Sequence, residues 1–545
     1  MWVLPVILIC VTTCLPGILS TDNKGKLFIT AFPENVAFYD PVPHSHTLFV
    51  TAVMDNTRVT ITVESMVKRS TFMQAATIWR VTLDASVELQ RSQFSQKSVV
   101  IRSTKDITVE SRSKRNNSRQ FVVLQPVRSL GSLYYIPILT QRDSLLAFED
   151  VHGARGKIVI INSEGNNTVK VNFNGHDLEQ QELVPFQVFQ LNMSDSQPVK
   201  ITAEHNVAVL LTHPCTNATP CDCQMVVIQL RPVNTWGTTF LVPSAFANAA
   251  DNKTNVIVTS DQRVTVSGSF QSISDYTSST SISHFVRDLK TQYLSSSGSS
   301  SVMLIQPGTI TGLIPESSFS ACYLIRPNQK ALVIAPHSNE SQVHLGKDRI
   351  SSNHNVQWQP IDSQRYSWTM IDLPSDKPQV IWHPSTKIAV YVKNRENWRE
   401  AISLSTIPDP QGCLVDLPGY FVIDQSGTWA ETISHCKNQN SELVSINSEG
   451  ILQELSQNLS NPNNEKEVWV GLRRRLVNGE WYWLNKQPMN ITKWVEGQPR
   501  GSQENFCASM SLSSYNTFGW KSQGCCHTMK PVCYKKASYF PVEAP

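Results

Sequence analysis

The feature that most constrains this chain is a dense run of cysteine, tryptophan and turn residues near its C-terminus. Trp429 is followed seven residues on by Cys436, and Trp469-Val470-Gly471-Leu472 lies beyond. Then come Trp494, Gly497-Gln498-Pro499, Glu504-Asn505-Phe506-Cys507, Trp520, Cys525 and Cys533. The chain has 12 cysteines in all, which places it in an oxidising compartment, where cysteines pair. Its start agrees. Residues 1–20 are apolar from Trp2 to Leu8 and again through Ile18, too short to span a membrane, and read as a secretory signal cleaved after Ser20. The stretch lacks the Lys or Arg usual at the head of such signals.

The order and spacing of residues 413–536 resemble a C-type lectin domain. The matching motifs are the Trp-Val-Gly-Leu strand, the Gln-Pro ahead of Glu-Asn-x-Cys, and the closing Cys-x7-Cys. The resemblance implies an α+β fold with Cys436 on its first helix, bridged to Cys533 on its last strand, and a second bridge, Cys507–Cys525. It also implies a cis peptide bond before Pro499. In sugar-binding members that proline turns side-chain oxygens toward a calcium ion, which takes six or more oxygen ligands. Carried over position by position, Gln498 still offers an amide oxygen and Glu504 a carboxylate. Arg500 stands where the family has Asn or Asp, and Lys521-Ser522 where it has an Asn-Asp pair. Cations at two ligand positions repel an incoming ion. The expectation is a lectin-like fold with its calcium site lost, binding ligand around Gln498, Pro499, Arg500, Glu504, Lys521 and Ser522 with no cofactor and no metal.

Residues 25–397 read as β throughout. Short β-branched runs such as Val59-Thr60-Ile61-Thr62-Val63 and Lys157-Ile158-Val159-Ile160-Ile161 alternate with Asp, Asn and Gly. No long segment of 3.6 period interrupts them. A weak repeat opens with Gly25-Lys26-Leu27-Phe28-Ile29, again with Gly131-Ser132-Leu133-Tyr134-Tyr135, and a third time with Gly237-Thr238-Thr239-Phe240-Leu241. Closing hairpins recur at Ile101 with Ile107 and Val109, Ile201 with Val207 and Val209, Leu304 with Ile310, and Trp382 with Ile388 and Val390. The fold expected is therefore a mainly β N-terminal region of about four repeated β-sandwich or propeller-like units, followed by the α+β domain. About eight strands are expected per unit.

A second resemblance covers this region. Gly25-Lys26-Leu27-Phe28-Ile29-Thr30-Ala31-Phe32-Pro33-Glu34-Asn35 looks like the opening of the N-terminal domain of IgG Fc-binding proteins. So do Cys221-Asp222-Cys223, Gln229-Leu230-Arg231-Pro232-Val233 and Trp236-Gly237-Thr238-Thr239-Phe240. In that family the domain precedes mucin-type modules; here a lectin-like domain follows. The boundaries expected are a signal at 1–20, the β region at 21–403, a linker at 404–412 with Pro408 and Pro410, the lectin-like domain at 413–536 and a tail at 537–545. By resemblance the partners include immunoglobulin or mucin, though no residue is marked as an antibody contact.

The remaining motifs divide between structure and chemistry. Asn-x-Ser/Thr acceptors for glycans stand at Asn116, Asn166, Asn192, Asn252, Asn339, Asn458 and Asn490, and at Asn217, which Pro220 compromises. Cys215, Cys221 and Cys223 follow His213; disulfides are preferred over a zinc site, with one of the three reaching Cys322. His44-Ser45-His46 lacks a third ligand nearby and reads as a turn pair. The Ser-rich stretch 271–301 reads as a long loop, and Arg473-Arg474-Arg475 as a solvated loop rather than an anion site. Cys413 and Cys526 are left over from the lectin-type bridges. Adjacent strand residues point to opposite faces, so Cys526 is expected to turn from Cys507 toward Cys413 and bridge it. The rival is two free or intermolecular thiols.

Net charge is +3, which gives no argument for nucleic acid or acidic membranes. No apolar run after residue 20 is long enough for a membrane span. No nucleophile elbow, His-Glu-x-x-His or phosphate loop occurs. The chain is expected to be a secreted, non-enzymatic recognition or adhesion protein that binds a glycan or glycoprotein in mucosal or humoral innate defence. The alternative is a structural component of mucus or matrix that assembles through its β region.

Overall fold

The computed structural model describes residues 22–539, apart from 35–43, 116–117, 139–155, 174–175, 193–198, 214–224, 248–252, 269–280, 288, 307–308, 354–355, 362–364, 374–377, 395–396, 406–412, 417, 460–466, 501–504 and 513–517. The signal expected at 1–20, the cysteines Cys215, Cys221 and Cys223, and Glu504 lie outside these residues, as do Asn116, Asn217 and Asn252.

Four β units follow one another, and their repetition has a steric cause. Gly25, Gly131 and Gly237 open the first three units, and a Cβ on each would stand 2.5, 2.5 and 2.4 Å from Cβ of Pro126, Pro232 and Pro315. Each of those prolines begins the turn into the next unit: Val127–Ser129, Val233–Thr235 and Glu316–Ser318 are single 3-10 turns. Three residues after each opening position comes a buried ring, Phe28, Tyr134 or Phe240. The fourth unit opens on Ser320 in place of glycine, with Tyr323 as its ring. In units two and four the ring hydroxyl is used. Tyr134 Oη accepts from the Gly131 amide and donates to the Val207 carbonyl; Tyr323 Oη does the same with Ser320 and Ile388.

The units are sandwiches, because one long strand serves two layers. In the first, Val99–Arg115 pairs with Thr57–Val63 near its start and with His44–Ala52 near its end. Between these it slips register against Lys24–Thr30, where Gly25 faces Ile107 and Leu27 faces Arg102. Val59, Ile61, Leu48, Val50, Ile101 and Val109 meet in one buried core between the layers. Alternate residues of Thr57–Val63 point inward, the period-2 signature of a strand with one face in the core. Val199–His213 and Gln292–Gln306 repeat the arrangement.

Several sequence expectations are corrected here. Ile101 to Val109 and Ile201 to Val209 are not hairpins: each run is one strand that bends at a bulge, which increases local twist and re-aims the chain. The hairpin at Leu304 and Ile310 exists, but its counterparts lie one strand later in the other units. Ser295 to Ser301 fall in the strand Gln292–Gln306, not a loop. That strand is paired on both sides, so its backbone bonds outweigh the weak β preference of serine. Against the expected eight or so strands per unit, the described residues give eight in the first unit, seven in the second, six in the third and ten in the fourth. Leu404 and Ser405 belong to the strand Ile402–Ser405, so the expected linker begins later. His44 and His46 lie on a strand, not a turn.

The fourth unit returns to the first. Asn23 and Ser403 exchange two hydrogen bonds, amide to carbonyl and amide to side chain. Glu110 of unit one is fully buried between Arg326 and Arg399 of unit four. Arg326 also covers the Phe49 ring at 4.1 Å. Arg231 of unit two holds Glu400 of unit four through two hydrogen bonds of 2.6 and 3.2 Å.

The C-terminal domain is α+β. Helix Trp429–Asn438 starts at a reciprocal cap between Thr428 and Glu431, and Glu449–Asn458 at Ser448. A four-stranded sheet holds Glu467–Arg474, Trp481–Trp483, Cys507–Ser511 and Trp520–Gln523. Gly471 is required: a Cβ there would lie 2.9 Å from the carbonyl oxygens of Leu443 and Val444. Cys436–Cys533 and Cys507–Cys525 form as the resemblance implied. The expected tail contributes Ser538–Tyr539, which pairs with Leu414–Asp416.

The Cys413–Cys526 bridge does not form, and neither does the bridge from Cys322 into the 215–223 cluster. Cys413 pairs instead with Cys322, with Cα atoms 5.9 Å apart. The reason is position. Cys526 sits in an exposed turn after Trp520–Gln523, where strand alternation does not apply. Cys413 packs in an apolar cluster with Leu324, Trp382 and Ile402 of the fourth β unit.

Candidate functional site

The loop carrying Gln498, Pro499 and Arg500 leaves the domain beside the strand Trp520–Gln523. Its anchors are aromatic: the Trp494 ring meets Trp520 edge-on at 5.8 Å and Trp481 at 4.8 Å. Gln498–Pro499 is cis. The Gln498 amide oxygen accepts three hydrogen bonds, from Ser522 Oγ at 2.7 Å, the Ser522 amide at 3.0 Å and the Arg500 amide at 3.2 Å. The Arg500 amide is shared with Ser522 Oγ at 2.9 Å. Gln498, Arg500 and Ser522 are thus one knot, tied by protein donors.

Lys521 leans the other way. Its ammonium contacts the Glu467 carboxylate, which also accepts from Ser509 at 3.2 Å and Gln523 at 3.1 Å. Sequence reading missed Glu467, Ser509 and Gln523, since they lie on three different strands and only pairing aligns them. Of the two oxygens that the resemblance carries over, that of Gln498 accepts from N–H and O–H donors and Glu504 lies outside the described residues, while the Lys521 ammonium is turned to Glu467.

The three arginines after the Trp-Val-Gly-Leu strand are used locally. Arg473 lies over the Trp429 ring at 5.3 Å, Arg474 Nε donates to the Gly479 carbonyl at 3.0 Å, and Arg475 lies over Tyr482 at 5.2 Å. The hairpin tip they support exposes Leu476 and Val477, the latter at 99%. A hollow of about 590 Å³ lies beside it, lined by Arg475, Tyr482, Lys486 and Met489. A second, of about 620 Å³, lies between the lectin-like domain and the first β unit. Arg58, Arg69 and Arg80 line one wall, and Glu449, Gln453 and Asn490 the other. Of the glycan acceptors, Asn166, Asn192 and Asn490 are exposed, and Asn339 is half-buried.

A set of β-sandwich units closed by a C-type-lectin-like domain whose loop is tied by its own donors defines a binding protein of modular, disulfide-bonded build. The family model for IgGFc binding protein matches residues 120–393, about half of the chain, and that for the lectin C-type domain matches 425–535. The chain belongs to the IgGFc-binding protein family and carries a C-type lectin domain. It is 24% identical over 278 residues to the human IgGFc-binding protein, covering 47% of this chain and only 5% of that one. It is 26% identical over 176 residues to human C-type lectin domain family 4 member C, covering 32% of this chain and 78% of the relative. Among solved structures, human lithostathine matches at 24% identity and a TM-score of 0.21, over 22% of this chain and 83% of that one. No helix among the described residues is long and apolar enough to cross a membrane.

Proposed function

We propose that this is a secreted, non-enzymatic recognition or adhesion protein that binds a glycan or glycoprotein through its lectin-like domain without calcium, in mucosal or humoral innate defence. The supporting observation is the knot at Gln498: its oxygen is spent on Ser522 and Arg500, and Lys521 on Glu467. Ligand is then met by side-chain donors and rings rather than by a metal. Names of relatives add immunoglobulin Fc as a candidate partner of the β region, and the resemblance adds mucin.

The test uses the full secreted chain on a glycan array and on immobilised Fc, with calcium and with chelator. Glycan signals that survive chelator support the reading. Signals that vanish with chelator overturn its calcium-independent part, and a blank array overturns the glycan part. The second reading, a structural component of mucus or matrix, is favoured by one observation: Cys526 is exposed, with no disulfide partner among the described residues. An odd thiol in a secreted chain suggests intermolecular pairing. Covalent multimers on a non-reducing gel, lost in Cys526→Ser, would decide for it.

A further inference from the structure

We propose that His44, His46 and Glu88 form a binding site for a zinc-like divalent ion in the first β unit. The nitrogens of the two histidines and a carboxylate oxygen of Glu88 all lie within 4.8 Å of one another. Two imidazoles and one carboxylate are a ligand set that zinc takes. His44 and His46 are two apart on the strand His44–Ala52, so their side chains share a face. Glu88 closes the 3-10 turn Ala85–Val87, and its amide bonds back to Ala85. Strand and turn are both fixed by backbone bonds, so the three side chains converge from rigid supports.

His46 carries the inference. It is fully buried, and neither of its ring nitrogens has a hydrogen-bond partner. A buried polar group without a partner is rare and calls for an explanation, an ion among them. Its Nε2 points toward the Glu88 carboxylate at 3.7 Å, too far for a hydrogen bond. His44 Nε2 stands 2.7 Å from the same oxygen. The Phe32 ring packs against His46 with centroids 4.5 Å apart, so water does not reach that side. The alternative is a hydrogen bond from His44 Nε2, which faces the Glu88 carboxylate and, at 3.4 Å, the Ala85 carbonyl, and it leaves His46 without a partner. An ion between the three would use all of them. Zinc–nitrogen bonds are about 2.0–2.1 Å, so the three side chains would draw in toward an ion set between them. Three protein ligands leave a further position for water or for a group from a partner.

The test uses the untagged full chain, stripped with chelator and titrated with zinc chloride alone. One equivalent retained after dialysis, measured by elemental analysis, is the expected result. His46→Gln and Glu88→Gln should each weaken binding by at least about 100-fold, since losing even an outer hydrogen bond costs a metal site about 10–100-fold. His46 is buried, so its variant is read together with His44→Gln, at the partly exposed edge, which should weaken binding by a similar factor. Cobalt(II) on the unaltered chain should give the strong visible absorption of a low-coordinate N/O site, lost in His44→Gln. His527→Gln, on the lectin-like domain, should leave uptake unchanged. Failure of the chain to hold an equivalent of zinc, or zinc uptake indifferent to His44→Gln and Glu88→Gln, would overturn the proposal.

Discussion

The β region and the lectin-like domain solve the same problem by different means. The lectin-like domain is held by short-range covalent and aromatic ties: two internal bridges and a core around Trp469, Trp483 and Trp520. The β region has no disulfide of its own among the described residues. It relies on repetition and on buried charge between units far apart in sequence, as where Glu110 meets Arg326 and Arg399. Among the described residues, Cys322–Cys413 is the one disulfide that joins the two regions. The lesson is that the same chain uses cross-links where its core is small and packed interfaces where its core is extended.

The largest test of that contrast removes the joining bridge. Cys322–Cys413 spans 91 residues and Cys507–Cys525 spans 18. Loop-closure entropy gives about 4–5 kcal/mol for the first and about 3 kcal/mol for the second. The double variant Cys322→Ala/Cys413→Ala should lower unfolding free energy more than Cys507→Ala/Cys525→Ala, by denaturant titration. It should also split one cooperative transition into two, one for each region. A single transition in the first variant would mean that the packed contacts alone unite the regions.

Next comes the buried charge. Burial alone would raise the Glu110 carboxyl, but Arg326 and then Arg399 outweigh it and hold the group below its ordinary 4.5. Removing the acid strands two partly buried guanidiniums, and breaking such a site costs about 3–5 kcal/mol. Glu110→Gln should therefore destabilise the β region by that amount and, in the Cys322→Ala/Cys413→Ala background, leave the lectin-like transition unmoved. The pH dependence has a fixed sign. A depressed carboxyl contributes fully above its unfolded value and loses that contribution as pH falls through the folded one. Stability of the parent should thus fall below about pH 4.5 by an increment that Glu110→Gln lacks, as thermal melts across pH 3–7 would reveal.

How much of this was legible in the sequence follows the same divide. The lectin-like domain was readable because its marks are local and chemically distinctive: Cys436, Trp469, Gly471 and Cys533 each admit few other residues. The repeat was readable at Gly25, Gly131 and Gly237, because the proline of the next unit leaves no room for a Cβ. It was missed at Ser320, where glycine is replaced. Glu110 looked like an ordinary strand charge, since nothing near it in sequence announces Arg399. Glu467 and Glu88 were missed for the same reason: strand pairing and a turn bring them to their partners. Cys413 was misassigned because its partner lies in the neighbouring region.

A smaller effect is expected from the repeated ring. Phe28 and Phe240 occupy the place that Tyr134 and Tyr323 fill in the other units, so the ring's shape is common and the hydroxyl is extra. The hydroxyl satisfies two backbone groups in each case. Tyr134→Phe takes a partner from the Gly131 amide and the Val207 carbonyl, at about 1–3 kcal/mol. Tyr323→Phe should cost less, because the Ser320 amide also donates to the Ile388 carbonyl at 3.0 Å. The two losses should add, because the residues sit in separate units. A neutral outcome in both would show that the backbone bonds close without the hydroxyl.

The smallest expected effect is none at all, and it bears on the lectin-like side of the comparison. A ligand that binds only the folded state raises stability by RT ln(1 + [L]/Kd), so a calcium site with a dissociation constant far below the added concentration is visible in a melt. The Gln498 oxygen is held by Ser522 and Arg500, and Lys521 by Glu467. Millimolar calcium should then leave the melting temperature of the full chain where chelator leaves it. A null result needs a positive control from the same loop. Arg500→Asn, Lys521→Asn and Ser522→Asp together remove two cations and the hydroxyl donor, and add three oxygen-bearing side chains around Gln498. That variant should melt higher in calcium than in chelator, while Arg500→Asn alone, which leaves the Lys521 ammonium and the Ser522 donor in place, should not. A calcium-dependent rise in the parent chain would mean that the knot opens to admit the ion, and that the lectin-like domain is tied by metal as well as by cystine.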